Sequence, residues 1–269
     1  MEFLLDLFTT GFVFAWGACV GSFLNVVVYR LPNGMSIVHP PSHCPKCSHR
    51  LGKTENVPVV GWLWLRGRCR WCKTEISFRY PAIEFVTGLL FCYVFQDFAF
   101  SLDTIGYWIF LSWLLALALI DLDTMTLPEA LTRSGLLLGL VFQFALGWQN
   151  QQGASYLFGA LLSAAVGIWC FDLVRFGATL ILGKEAMGGG DPKLAAMIGA
   201  WLGWQSLLVT TFVACLIGSA IGLLGIVLGK RRWLQEMPFG PYLSLGALVS
   251  LFWGKAIVST YLTLFFPTF

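Results

Sequence analysis

Two acidic clusters and one cysteine quartet hold most of the side chains in this sequence whose types and spacing suit chemistry. The first cluster reads Ile120-Asp121-Leu122-Asp123, and the second reads Gly188-Gly189-Gly190-Asp191-Pro192-Lys193. Asp121 directly follows an unbroken apolar run from Leu114, which predicts a carboxylate at the edge of a membrane. Carboxylates are costly there, so each needs a reason. Asp123 lies two residues farther out and is expected in water. Three successive glycines before Asp191 remove Cβ atoms, permit positive φ, and let another backbone or a peptide come close. Taken alone, Asp191-Pro192 also reads as a helix cap with proline at the first helical position. Taken together, two carboxylates in one place share a proton, because two like charges in low dielectric do not ionise cheaply. One can then act as base on a water molecule while its protonated partner polarises a carbonyl. Glu129 has a simpler reading, since Thr126-x-x-Glu129 has the form of a capping box beside Pro128.

The cysteines point to a metal. Cys44-Pro-Lys-Cys47 and Cys69-Arg-Trp-Cys72 are two Cys-x-x-Cys pairs with 21 residues between them. Each pair turns two thiolates toward one tetrahedral ion, and the flanking Lys and Arg are expected to favour the thiolate form. Four protein ligands close the coordination shell, so a zinc ion here is structural. Two disulfides are the alternative, disfavoured in a reducing compartment. His39, His43 and His49 read as loop residues. Cys19, Cys92, Cys170 and Cys215 lie in apolar runs and read as small packing residues.

What must position these groups is a membrane-embedded helical scaffold. Of 269 residues, 57% are hydrophobic and only 12% charged, and the mean hydropathy is +0.75. A soluble domain carries about a quarter charged residues. Apolar runs such as 8–29 and 207–229 reach the roughly 20 residues that span a bilayer. The first run has an acidic flank (Glu2, Asp6), reads on into Arg30, and is taken as a retained span rather than a cleaved signal. The expected fold is therefore an all-α polytopic membrane protein with about eight transmembrane helices. The expected regions are residues 1–29 as a first span, 30–80 as a metal-binding loop, and 81–269 as a transmembrane domain with both aspartates.

Charge sets an expected orientation. Nine of the 17 Lys and Arg residues fall between Arg30 and Arg79, which places that loop in the cytoplasm and the N-terminus outside. Threading onward puts the Asp121 and Asp191 turns on the cytoplasmic side too, with Lys230-Arg231-Arg232. The threading includes a short span from about Leu194 to Trp204, with another returning. Lys255 falls inside the last span, where it would mark a broken helix or an interior polar partner. No nucleic-acid partner is expected. A non-enzymatic zinc-bearing scaffold would leave the glycine run unexplained, and a transporter would carry charges deep in several spans.

Several motifs, in order along nearly the whole chain, resemble the type IV prepilin peptidases, membrane aspartic proteases of the Gly-x-Gly-Asp type. They are Gly21-Ser-Phe-Leu-Asn25-Val-Val, Arg30-Leu-Pro32, Cys44-Pro-x-Cys47, Asn56-Val-Pro58, Gly67-Arg-Cys69-x-x-Cys72 and Arg79-Tyr-Pro81 with Glu84. Farther on come Ile120-Asp121-x-Asp123, Leu127-Pro128, Met187-Gly-Gly-Gly190-Asp191-x-Lys193 and Pro238-Phe-Gly-Pro241-Tyr242. The resemblance implies a bacterial inner-membrane enzyme. It would cut the basic leader from type IV prepilins or type II secretion pseudopilins after a glycine, on the cytoplasmic side. It also implies N-methylation of the new terminal residue with S-adenosylmethionine, in a region that includes loop 30–80. By the same resemblance, Asp121 and Asp191 are catalytic, Gly188, Gly190 and Lys193 support the motif, and Cys44, Cys47, Cys69 and Cys72 hold zinc. A basic leader would then meet an acidic rim of Asp121, Asp123, Glu129, Glu185 and Asp191.

Overall fold

The computed structural model describes residues 2–183, 187–229 and 237–266, so Lys184, Glu185 and the 230–232 triplet lie outside the described residues. Eight helices follow one another: α1 (Glu2–Arg30), α2 (Val60–Trp64), α3 (Arg79–Phe98), α4 (Leu102–Thr124), α5 (Glu129–Gln149), α6 (Gly153–Leu182), α7 (Asp191–Val227) and α8 (Gly240–Phe265). No strand occurs among the described residues. Six helices, α1, α4, α5, α6, α7 and α8, are long and apolar enough to cross a membrane. Their outward faces carry large apolar side chains such as Phe12, Leu137, Val141, Leu208 and Phe212, the pattern of helices whose solvent is lipid. The chain is a multi-pass membrane protein.

The chain divides into two compact units, 1–112 and 113–269. In the first, α1 packs on α3, and small residues decide how closely. A Cβ on Gly21 would stand 2.8 Å from the Glu84 backbone, and one on Gly17 would stand 2.9 Å from that of Gly88. Such small-residue contacts are how helices gain packing energy when lipid removes the hydrophobic driving force. Asn25 donates to the Tyr80 carbonyl, and Glu84 accepts the Val59 N–H. α3 is not among the six apolar helices: it buries Glu84 and Thr87 against this polar seam instead of presenting lipophilic surface all round.

The second unit is built around the start of α7. Every residue from Leu194 to Trp201 is buried, and α7 touches α5, α6 and α8. Gly135 and Gly139 of α5 leave room for Met197 and Trp201. The Trp201 indole N–H donates to the Gly135 carbonyl, and Gln143 donates to the Trp201 carbonyl. Gly203 (φ 82°, ψ 166°) then breaks the helical path. The stretch before it, 191–202, rises only about 18 Å, short of the roughly 30 Å of a hydrocarbon core. The short expected segment ending near Trp204 is thus the first limb of one broken helix. α8, by contrast, runs unbroken through Lys255, which is exposed. Neither a helix break nor an interior partner accounts for that lysine; its long stem lets the ammonium reach toward a polar boundary.

A Cβ on Gly199 would stand 2.6 Å from the Ser163 carbonyl of α6. Gly199→Val is therefore expected to separate α6 from α7 and lower stability by about 1–3 kcal/mol. Thermal unfolding in detergent measures it, with Gly159→Ala, which meets nothing, as the matched control.

Candidate active site and metal centre

The four cysteines come from two turns of the same construction. His43 bridges to Arg50 around the first pair, and Arg68 bridges to Glu75 around the second. In each turn the first cysteine carbonyl accepts an N–H four residues on, from Ser48 or Lys73. Those two residues both take positive φ, 55° and 58°, and the reversal turns both sulfurs inward. All four Sγ atoms lie within 4.8 Å of one another, with 3.7 Å between Cys44 and Cys72 and 3.9 Å between Cys47 and Cys69. Tetrahedral zinc with bonds of about 2.3 Å needs sulfurs about 3.8 Å apart, whereas a disulfide needs about 2.05 Å. The cluster fits one metal ion, and all eight cysteines are free of disulfides. Backbone N–H groups of Cys47 and Lys46 pull the Cys44 thiol down to about 6. That role was expected of the basic side chains. Two of them are engaged elsewhere, Arg68 with Glu75 and Arg70 with Glu55.

The two aspartates meet in the second unit. Asp121 sits in the last turn of α4, 5% exposed, and its Oδ2 accepts the Gly240 N–H at 2.9 Å. Asp191 is the first residue of α7, 6% exposed, with the Gly188 backbone beside its carboxylate. The two carboxylates lie within electrostatic reach of each other. Asp123 is exposed, as expected. Asp191 does not cap α7, because the cap position is Gly190 and no side-chain cap bond forms there. The glycine run works by missing side chains rather than by unusual φ. None of residues 188–190 has positive φ, while a Cβ on Gly190 would stand 2.7 Å from Leu127 Cβ. Gly190 thereby lets the turn before Asp191 press on the turn after Asp121.

Glu129 departs from the capping-box reading. Thr126 bonds Thr124 instead, and α5 starts without a side-chain cap. Glu129 Oε1 accepts from Lys193 at 2.7 Å and from Arg133 at 2.9 Å. This pair ties the first turn of α5 to the first turn of α7, two residues from Asp191. Sequence reasoning gave no role to Gly240, although the Phe239-Gly240-Pro241 start of a helix marked where an unpaired N–H would point.

Comparison with known proteins follows the same division of the chain. A family model described as the bacterial peptidase A24 N-terminal domain matches residues 15–98, and one described as the type IV leader peptidase family matches residues 108–223. The prepilin leader peptidase/N-methyltransferase of Aeromonas hydrophila is 38% identical, over 94% of this chain and 93% of its own length. The chain belongs to the type IV leader peptidase family. Relatives of the same description in Stutzerimonas stutzeri and Pseudomonas aeruginosa are each 39% identical, over 91% of both chains. No solved structure matches.

The metal centre makes a direct prediction. Cys47→Ser is expected to empty it, read as metal content by mass spectrometry, with Cys215→Ser retaining the ion. Because the ligands must be thiolates, metal should be kept at neutral pH and released on strong acidification, read as metal content after dialysis.

Proposed function

We propose that this chain is an aspartic leader peptidase and N-methyltransferase. It would remove the leader of type IV prepilins or type II pseudopilins and methylate the new amino terminus. The observation that carries the peptidase half is the buried Asp121–Asp191 pair at the ends of two membrane helices, with Asp121 held by the Gly240 N–H. In this reading one carboxylate takes a proton from water as its oxygen attacks the carbonyl carbon of the glycine before the cut. The protonated partner hydrogen-bonds the developing oxyanion. Collapse breaks the C–N bond, with the proton passing to the departing amine, and leaves a glycine carboxylate and a free N-terminus. Gly240 holds Asp121 in place, Gly188 and Gly190 shape the approach to Asp191, and Lys193 with Glu129 anchors the turn.

The remaining assignments follow. Residues 81–269 carry the peptidase and 1–29 the first span. Loop 30–80 carries structural zinc on Cys44, Cys47, Cys69 and Cys72 and belongs to methyl transfer. Both lie at the cytoplasmic face of the bacterial inner membrane with the N-terminus outside, since the excess of Lys and Arg falls there. S-adenosylmethionine would supply an electrophilic methyl group. The acidic rim for the leader is smaller than the sequence suggested: Glu129 is already neutralised by Lys193 and Arg133.

Incubating the purified chain with a synthetic prepilin and weighing the product tests both halves. Asp121→Asn and Asp191→Asn should each lower cleavage by at least about 100-fold while metal content stays intact. Normal cleavage by either variant would rule out the dyad. Gly240→Ala, whose Cβ would stand 2.7 Å from Asp121 Oδ2, should lower kcat by about tenfold or more and leave KM little changed.

A further inference from the structure

The short helix α2 does not stand out in the aqueous loop where its place in the sequence would put it. Contacts between α1 and α3 set its depth. A Cβ on Gly21 would stand 2.8 Å from the Glu84 Cα, so these two residues are level. Asn25 is level with Tyr80, whose carbonyl it reaches at 3.2 Å. Along α1, Gly21 lies about 14 Å and Asn25 about 8 Å inside Arg30. Both belong to the apolar run 8–29, whose rise of about 33 Å fills a hydrocarbon core of roughly 30 Å. Glu84 accepts the Val59 N–H at 2.7 Å. Its side chain leans toward the start of α3, which brings Val59 to about the level of Asn25. Pro58, next to it, lines one groove with Ser22 and Val26 of α1. α2 therefore begins beside the membrane-spanning part of α1, not beyond its end.

Backbone at that depth must find partners for its own polar groups, and this segment does. Val59 takes φ 61°, rare for a β-branched residue, and the buried Glu84 carboxylate meets its N–H. The N–H groups of Val60, Gly61, Leu63 and Leu65 all reach carbonyls within the segment. α2 then shows two different faces. Inward, a Cβ on Gly61 would stand 2.6 Å from the Glu55 carbonyl oxygen, and the Trp62 ring covers Gly67. The Trp62 indole N–H donates to the Ile76 carbonyl, just past the second cysteine turn. Outward, Val60, Leu63 and Trp64 form one stripe at three- and four-residue spacing, and Trp64 is 80% exposed. Arg66, exposed just beyond them, has no ion pair among the described residues.

We infer that α2 is an interfacial helix, with Val60, Leu63 and Trp64 set among lipid where acyl chains meet headgroups, and Arg66 on a headgroup phosphate. Apolar side chains facing outward at that depth have lipid as their solvent, and tryptophan favours the boundary. A water-soluble partner has no path to a face level with the apolar part of α1. Glu84 is the tether that fixes the depth, and Trp62 passes that depth on to the second cysteine turn. The helix of a prepilin substrate also travels within the bilayer, and the test separates it from lipid.

The purified full chain is placed in nanodiscs in which part of the phospholipid carries a diazirine on its acyl chain. After irradiation and digestion, adducts are located by mass spectrometry. They are expected on 60–64 as well as on Phe12, which faces outward from within the run 8–29. Glu84→Gln keeps an acceptor oxygen and should keep the label on 60–64. Glu84→Leu loses it and should lower that label by about fivefold or more, with Phe12 unchanged. Metal content and thermal unfolding report whether Glu84→Leu has folded; should it fail, the wild-type chain decides. Phe12 labelled without any adduct on 60–64 overturns the interfacial helix. Equal label on 60–64 in a folded Glu84→Leu overturns the tether. Adducts on 60–64 that persist with saturating prepilin support lipid as the partner, and adducts that prepilin abolishes assign the face to substrate and overturn it.

Discussion

Everything in the second unit turns on keeping two carboxylates where neither lipid nor bulk water can solvate them. A buried carboxylate is tolerated only if donors meet it, and here the donors are main-chain. Gly240 supplies one to Asp121, and the Gly188 backbone lies beside Asp191. A backbone N–H is a donor that carries no charge and needs no side chain, so it holds a carboxylate without neutralising it. Gly240 and Gly190 are small for reasons of space: a Cβ would stand 2.7 Å from Asp121 Oδ2 at the first and 2.7 Å from Leu127 Cβ at the second.

The same constraint explains the shape of α7. To bring Asp191 inside, its helix must enter the bundle at its very first residue. From Leu194 to Trp201 every residue of that limb is accordingly buried, with Trp201 locked between Gly135, Gly139 and Gln143. Gly203 lets the chain leave that buried path and resume as an ordinary lipid-facing helix. Outside the buried core, Glu129 and Lys193 join the two turns through an ion pair in a more exposed position, where a charged contact costs less to form. The division is between neutral donors inside and charged ties at the rim.

The metal centre solves a different problem by local means. Each Cys-x-x-Cys turn is complete within about eight residues: a bridge, a carbonyl–amide bond and one positive φ aim its two sulfurs. Local geometry of this kind repeats whenever the spacing repeats, which is why the two turns match so closely. At Cys44 the backbone amides of Lys46 and Cys47 favour the thiolate, while burial and the neighbouring thiols hold Cys47 protonated until a cation is bound.

This contrast separates what the sequence determined from what only folding decided. Composition made the chain a helical membrane protein, because apolar runs of that length have no other solvent. Cysteine spacing made the metal cluster, because it depends on neighbours in sequence, whereas the span expected from Leu194 to Trp204 is the first limb of a helix kinked at Gly203. Glu129 as a capping residue and Lys255 as an interior one were misread for the opposite reason. Glu129 meets Lys193 across 64 residues, and no local pattern competes with a full ion pair. Gly240 reaches Asp121 across 119 residues, and its N–H is indistinguishable in sequence from that of any other helix start. Long-range donors leave no periodicity and no spacing, so only the packed helices select them.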